Sequence, residues 1–316
     1  MDYVIRRILA ALATVFVVAT LIFLLLHMVP GDPAEILLSS GGMAPTAEAV
    51  EALRRSLGLD QPLAAQYLQY LTRILAGDLG VSFQDGTAIA PEIIKRLPRT
   101  LELVGAAGVI AALVGMPAGL VAALRRGGVV DNLFSAFASF GLSVPVFVTG
   151  TMMILLFSQL LRIAPAGGYV DFREDPSQHL IYLLMPACSI AISLVPVVFR
   201  MMRASILEVL EREWVRTARA KGMAEPAVLR KHVVRNSVAP VITVLALHLG
   251  SLLGGTVLVE YVFNWPGLSG MLVQAVEQRD YPAVQGIVLV ICVVFVMINL
   301  AVEVLYGLLD PRVRHR

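Results

Sequence analysis

Six apolar runs decide most of what this chain can fold into. They are Ile8–Val29, Thr100–Leu124, Leu133–Leu161, Leu180–Met202, Val238–Phe263 and Val284–Leu309. A helix of roughly 22 residues rises ~33 Å, enough to cross a hydrocarbon core of ~30 Å. Each run meets that length. Of the 316 residues, 58% are hydrophobic and only 15% charged, whereas soluble domains carry about a quarter. The alternation of an outer-membrane barrel is absent, so helices are the spanning element. The predicted fold class is an all-α polytopic membrane protein with six transmembrane helices. The first run is too long for the apolar core of a leader and ends in "HMVPGDP" rather than a small-x-small site. It reads as an uncleaved signal-anchor.

Basic residues orient the bundle. The segments assigned to the inside hold 16 of the 25 Lys and Arg residues, and the short outside loops hold only Arg162, Arg173 and Arg279. Both termini are therefore expected in the cytoplasm. The long segment 30–99 is expected outside with short helices of its own. There "PTAEAVEALRRSLG" has Thr46 as N-cap and Gly58 as stop, and "QPLAAQYLQYLTRILAG" runs from Pro62 to Gly77. Within the spans, Gly115 with Gly119 and Gly250 with Gly254 have the spacing that lets helix backbones approach. Pro117, Pro145 and Pro196 are expected to kink or break their helices. Cys188 and Cys292 sit in apolar runs and read as small packing residues.

Catalytic constellations are few. "GLSG" at 267–270 places Ser269 where an intramembrane serine protease would need a nucleophile, but no histidine is placed to serve it. His27 stands at a span end and His248 lies ~15 Å along its own helix. A proline–glycine turn that happens to carry a serine is the plainer reading. Intramembrane carboxylates are scattered: Glu102 and Glu260 near outer ends, Glu303 near an inner one. They form no relay that would suggest a self-sufficient, proton-coupled transporter. None of the three lysines follows a glycine, so the chain has no recognisable P-loop.

The segment between the fourth and fifth runs is more ordered than a charge bias requires. Nine basic residues fall between Arg200 and Arg235 against four acids. "EREWVRTARAKG" predicts a short helix that Gly222 stops. Val215, Ala218 and Gly222 share one face, with Trp214 beside them, and Arg212, Arg216 and Arg219 share another. Pro226 predicts a second helix start.

"RTARAKG…LRKHVVRNSVAP" resembles the coupling-loop motif of ABC-transporter permease subunits. "FLLLHMVPGDPA", "LGLDQPLAAQYLQYLTRILAGDLGVSF", "RLPRTLEL", "GGTVLVEYVFNWPGLSGMLVQAVEQRDYPAVQG" and the closing "DPRVR" resemble the first permease of dipeptide, oligopeptide and nickel importers, in that family's order and over nearly the whole chain. The resemblance implies a permease of the type I importer fold in the bacterial inner membrane. Its domains would be the first helix at 1–29, an extracytoplasmic segment at 30–99 and a permease core at 100–316, with the coupling loop at 203–237. It implies as partners a second homologous permease, two ATP-binding cassette subunits, an extracytoplasmic solute-binding protein and the bilayer, and no nucleic acid. ATP and Mg would be bound by the ATPase subunits, leaving this chain without catalysis or cofactor. The cargo implied is a di- or oligopeptide, with nickel, glutathione or another small solute as alternatives. The coupling helix carried over from the family is Glu213, Trp214, Val215, Arg216, Thr217, Ala218, Arg219, Ala220, Lys221 and Gly222. Trp214, Val215 and Ala218 would seat in the ATPase groove, and Arg216, Arg219 and Lys221 would meet its acidic rim. The general motif opens Glu-Ala-Ala, whereas here Arg216-Thr217-Ala218 stands. Glu213 is the candidate substitute for the missing glutamate.

Overall fold

The computed structural model describes residues 2–28, 34–35, 38, 46–56 and 58–309, and every named element is helical. Helix α1 is Asp2–His27, α2 Ala47–Ser56, α3 Leu63–Leu75 and α4 Ile89–Leu124. Helix α5 is Val129–Ser143, and α6 is Val146–Met153 with a π-helical continuation, Ile154–Leu160. Helix α7 is Pro176–Leu210, α8 Glu213–Ala220 and α9 Glu225–Val228, the last running through a π-helical turn into α10, Arg235–Gly255. Helices α11 (Val257–Val262), α12 (Leu268–Glu277) and α13 (Tyr281–Leu309) complete the chain. Among the described residues, five helices are long and apolar enough to cross a membrane, or six if α5 and α6 count as one broken span.

Two expected spans differ from their apolar runs. The third is bent by 100° between Ser143 and Val146. Pro145 cannot donate to the ladder and holds Val144 extended, so the helix stops and restarts. The fifth begins early, at Glu225, and stops at Gly255, with the rest of its run in the separate short helix α11. Helices α4 and α7, by contrast, continue through Pro117 and Pro196 without interruption.

The chain divides into two compact units. One comprises 1–97 with 271–296 and the other 98–270 with 297–316. In the first unit the two expected short helices are present. Thr46 Oγ1 accepts from the Ala49 amide at 3.3 Å, and Gly58 and Gly77 close α2 and α3 with φ of +70° and +76°. Helix α3 packs Tyr70 and Ile74 against Ala19 and Ile22 of α1 and Leu289 of α13. Tyr67 bonds Thr20 at 2.6 Å, and the Phe23 ring lies 5.2 Å from that of Tyr67. Asp280 ties the "GVSF" and "RDYP" segments together by accepting from the Ser82 hydroxyl, the Phe83 amide and the Ala283 amide.

In the second unit the core is α7 held by α4 and α10. Ile190, Leu194, Val198, Met202 and Ile206 of α7 are buried with Leu103, Ala107 and Ala111 of α4 and Val241 and Leu245 of α10. The small residues of α4 permit backbone contact. A Cβ at Gly119 would lie 2.7 Å from the Phe199 carbonyl oxygen, and one at Gly115 2.8 Å from Val198. In the second pair Gly254 has open space around it, whereas Gly250 is buried. Arg203 of α7 forks onto Asp131 of α5 at 2.7 and 2.8 Å, and the Gly127 amide bonds the same carboxylate. Asp175 caps α7 through the Ser177 and Gln178 amides. The Ser177 hydroxyl and these amides hold its carboxyl below the ordinary carboxylate range.

Candidate ATPase-coupling site

Helix α8 is short, so its ends decide whether it forms. Glu213 stands in its first turn and Arg219 in its last, each complementing the dipole. Gly222 closes it at φ +74°. Its amide donates to the Arg219 carbonyl at 2.9 Å and the Met223 amide to the Ala218 carbonyl at 3.3 Å, which is the Schellman pairing. Ala224 then turns extended, and Pro226 opens α9 as expected. Arg219 reaches across the turn and forks onto Glu225 at 2.6 and 3.1 Å, bracing the two short helices.

The packing inverts the expected face. Val215 is 0% and Ala218 6% exposed, and both lie in this chain's own core with Val209, Val228 and Val233. They cannot seat in a partner's groove, because their periodicity matches the core they cover. The outward face holds Glu213, Trp214, Arg216, Thr217, Arg219, Ala220, Lys221 and Gly222. Trp214 is 48% exposed with the Arg212 guanidinium 5.6 Å from its ring. An exposed tryptophan beside arginine is the composition of an interface anchor. The basic rim divides too. Arg212 pairs with Glu208, Arg216 with Glu213 at 3.1 Å and Arg219 with Glu225. Among the described residues, Lys221, Arg230, Lys231 and Arg235 make no ion pair. Glu213 is paired with Arg216, and a pair this exposed contributes little stability.

Ser269 is at the start of α12 and fully buried. Its amide donates to Glu260 at 2.8 Å and its hydroxyl lies 3.5 Å from that of Thr256. Glu260 also accepts from the Thr100 hydroxyl at 2.7 Å, and the Leu268 amide donates to Thr100 at 2.9 Å. The "GLSG" turn is thus a helix start capped by residues distant in sequence, and among the described residues its serine meets no histidine. Sequence reasoning also missed His179, whose ring nitrogens lie 2.7 Å from the Val170 carbonyl oxygen and 2.7 Å from Glu102, edge-on to Tyr169, Phe172 and Trp265. A histidine beside a span gives no sequence signal of the carboxylate 77 positions away.

Residues 115–315 match the family described as "Binding-protein-dependent transport system inner membrane component", and residues 1–104 match its N-terminal companion, "Binding-prot-dependent transport system membrane comp, N-term". The chain belongs to the binding-protein-dependent transport permease family. It is a multi-pass inner membrane subunit of an ABC importer, non-catalytic and without cofactor, and ATP is bound by partner ATPases. The "Glutathione transport system permease protein GsiC" of Escherichia coli O6:H1 (strain CFT073) is 41% identical over 316 residues, covering 100% of both chains. GsiC of Escherichia coli (strain K12) and of Shigella dysenteriae serotype 1 (strain Sd197) are each 40% identical over the same length, again covering 100% of both chains. A solved structure of the MetNI methionine ABC transporter in inward-facing conformations matches with a TM-score of 0.55 at 17% identity, covering 69% of this chain and 96% of that one. That likeness concerns the fold.

Proposed function

We propose that this permease forms half of the pathway of a short-peptide importer and that the outward face of α8 receives the ATPase stroke. The single observation that carries the coupling assignment is the mounting of α8. Its inner face is locked into the core by Val215 and Ala218, while Trp214 faces solvent on the other side. A partner pressing on Trp214, Thr217, Ala220 and Lys221 would move the spans as one near-rigid body. Nucleotide binding can drive that movement because it favours one arrangement over the other.

The remaining assignments follow the same reading. A second homologous permease supplies the other half of the pathway, and a solute-binding protein delivers cargo to the outer segment 30–99. The first helix at 1–29 anchors, and the core at 100–316 carries the coupling loop at 203–237. Full-length relatives at 40–41% identity named for glutathione transport support a peptide cargo, and make that tripeptide the first to test. The test is uptake into inverted-free proteoliposomes containing both permeases, both ATPases and the cognate binding protein. Glutathione or dialanine should accumulate with ATP inside. Uptake of neither, with nickel accumulating instead, would reject the peptide reading.

A further inference from the structure

A groove of about 550 Å³ runs along α7 between α4 and α5, within the second unit and away from α8. Ile110, Val114 and Ala118 of α4 form one wall, and Phe134 and Phe137 of α5 form the other. Helix α7 floors it from Cys188 to Phe199. Among the described residues, no charged or hydroxyl side chain lines it. Its walls stand open, with Val114 51% and Phe137 71% exposed. By helical rise the floor is ~16 Å long, close to the ~15 Å depth of one leaflet's hydrocarbon. At its inner end the Phe134 ring lies edge-on to Phe199, with centroids 6.2 Å apart.

The end of this groove is positively charged. Ile110, Val114, Ala118 and Arg125 share one face of α4 by helical spacing. The Arg125 amide still donates to the Val121 carbonyl at 3.1 Å, so the helical path reaches it. Arg125 lies ~10 Å beyond Ala118 along that path. Arg125 and Arg126 are exposed and make no ion pair among the described residues. The carboxylate that follows them, Asp131, is buried, neutralised by Arg203 and bonded by the Gly127 amide. Two uncompensated guanidinium groups beyond an apolar slot complement a ligand with a negative head and a hydrocarbon tail. We propose that this groove holds an acyl chain of an anionic phospholipid, with its phosphate on Arg125 and Arg126. The two arginines mark the cytoplasmic end of α4, so the lipid belongs to the inner leaflet. A peptide would leave its backbone groups unpaired in the slot. A zwitterionic headgroup would set its ammonium against the same arginines. Phosphatidylglycerol supplies the required chemistry.

The test places the assembled transporter, without nucleotide or cargo, in phosphatidylethanolamine bilayers. These carry a trace of photoreactive phosphatidylglycerol or photoreactive phosphatidylethanolamine, each with a diazirine in its acyl chain. After illumination, peptide mass spectrometry reads lipid adducts on segments 110–118, 134–141 and 188–199. Phosphatidylglycerol adducts there should exceed those of phosphatidylethanolamine about fivefold. The double variant Arg125→Gln/Arg126→Gln should remove that preference. Arg230→Gln/Lys231→Gln, an equal loss of charge on the cytoplasmic loop, should keep it. Val114→Trp, at an exposed position of the groove wall, should cut adducts of both lipids at least threefold while the second permease still co-purifies. Equal labelling by the two lipids in the wild type would overturn the proposal, as would a preference that survives Arg125→Gln/Arg126→Gln. A preference lost equally in Arg230→Gln/Lys231→Gln would make the attraction diffuse surface charge and overturn the site. Loss of the second permease from the Val114→Trp complex, with no groove adducts in the wild type, would make the groove a protein interface instead. Because the assay reads lipid contact alone, a transporter with some other cargo leaves its result unaffected.

Discussion

Single residues fix the backbone approaches and caps in this chain. Gly119 touches the α7 main chain, whereas Gly254 touches nothing. Gly119→Val should therefore lower the melting temperature of the detergent-solubilised protein, with overpacking costing ~1–3 kcal/mol. Gly254→Val should change stability by less than about 0.5 kcal/mol, as substitutions in open positions do. Equal melting of the two variants would contradict the assigned packing. The two glycine pairs read alike in sequence, because spacing reports that a helix face is small and not whether another backbone lies against it. Glu260 gives a second test. Removing its carboxylate leaves the buried Ser269 amide and Thr100 hydroxyl without that acceptor, a loss of about 1–3 kcal/mol per orphaned group. Glu260→Ala should thus destabilise clearly, Glu260→Gln less, and Ser269→Ala should leave uptake intact. Loss of uptake in a well-folded Ser269→Ala protein would restore the case for a reactive serine.

Elements were legible where their signals were local. The caps of α2, the stops at Gly58, Gly77 and Gly222, and the start at Pro226 all depend on residues within one turn, and each stands where its residue type places it. Hydropathy located the spans but not their ends. Helix α4 starts at Ile89, before its apolar run, since "PEIIKRLPR" is helical yet polar. The fifth run is helical from Glu225 and broken at Thr256, where packing and not composition sets the limit. The periodicity of α8 gave the right face and the wrong neighbour: Val215 and Ala218 are apolar because they cover the chain's own core. That face has a testable consequence. Val215→Asp would bury an unpaired charge and should detach α8, seen as faster proteolysis in the 211–235 loop. Gly222→Val would force a β-branched residue to φ +74°, costing ~1–2 kcal/mol. It should loosen the Schellman turn while leaving the spans inserted. Cleavage of that loop at the wild-type rate in both variants would contradict the helix mounting.

At the scale of the whole molecule, the chain is a permease whose proposed coupling rests on one handle. Helices α4, α7 and α10 pack the second unit's core with their small and branched residues. The proposed handle is α8, bound to that core by its inner face and presenting Trp214 on its outer one. The energy source lies in other subunits, so the account depends on that handle being the surface they grip. The most direct measurement is ATPase retention and ATP-driven uptake by an Ala220→Trp permease co-expressed with its partner subunits. Ala220 faces outward, so the added indole leaves the core untouched. Melting temperature and membrane insertion should match the wild type, while ATPase retention and uptake fall at least tenfold. Wild-type retention and uptake by the Ala220→Trp protein would contradict the assignment of α8 as the coupling helix.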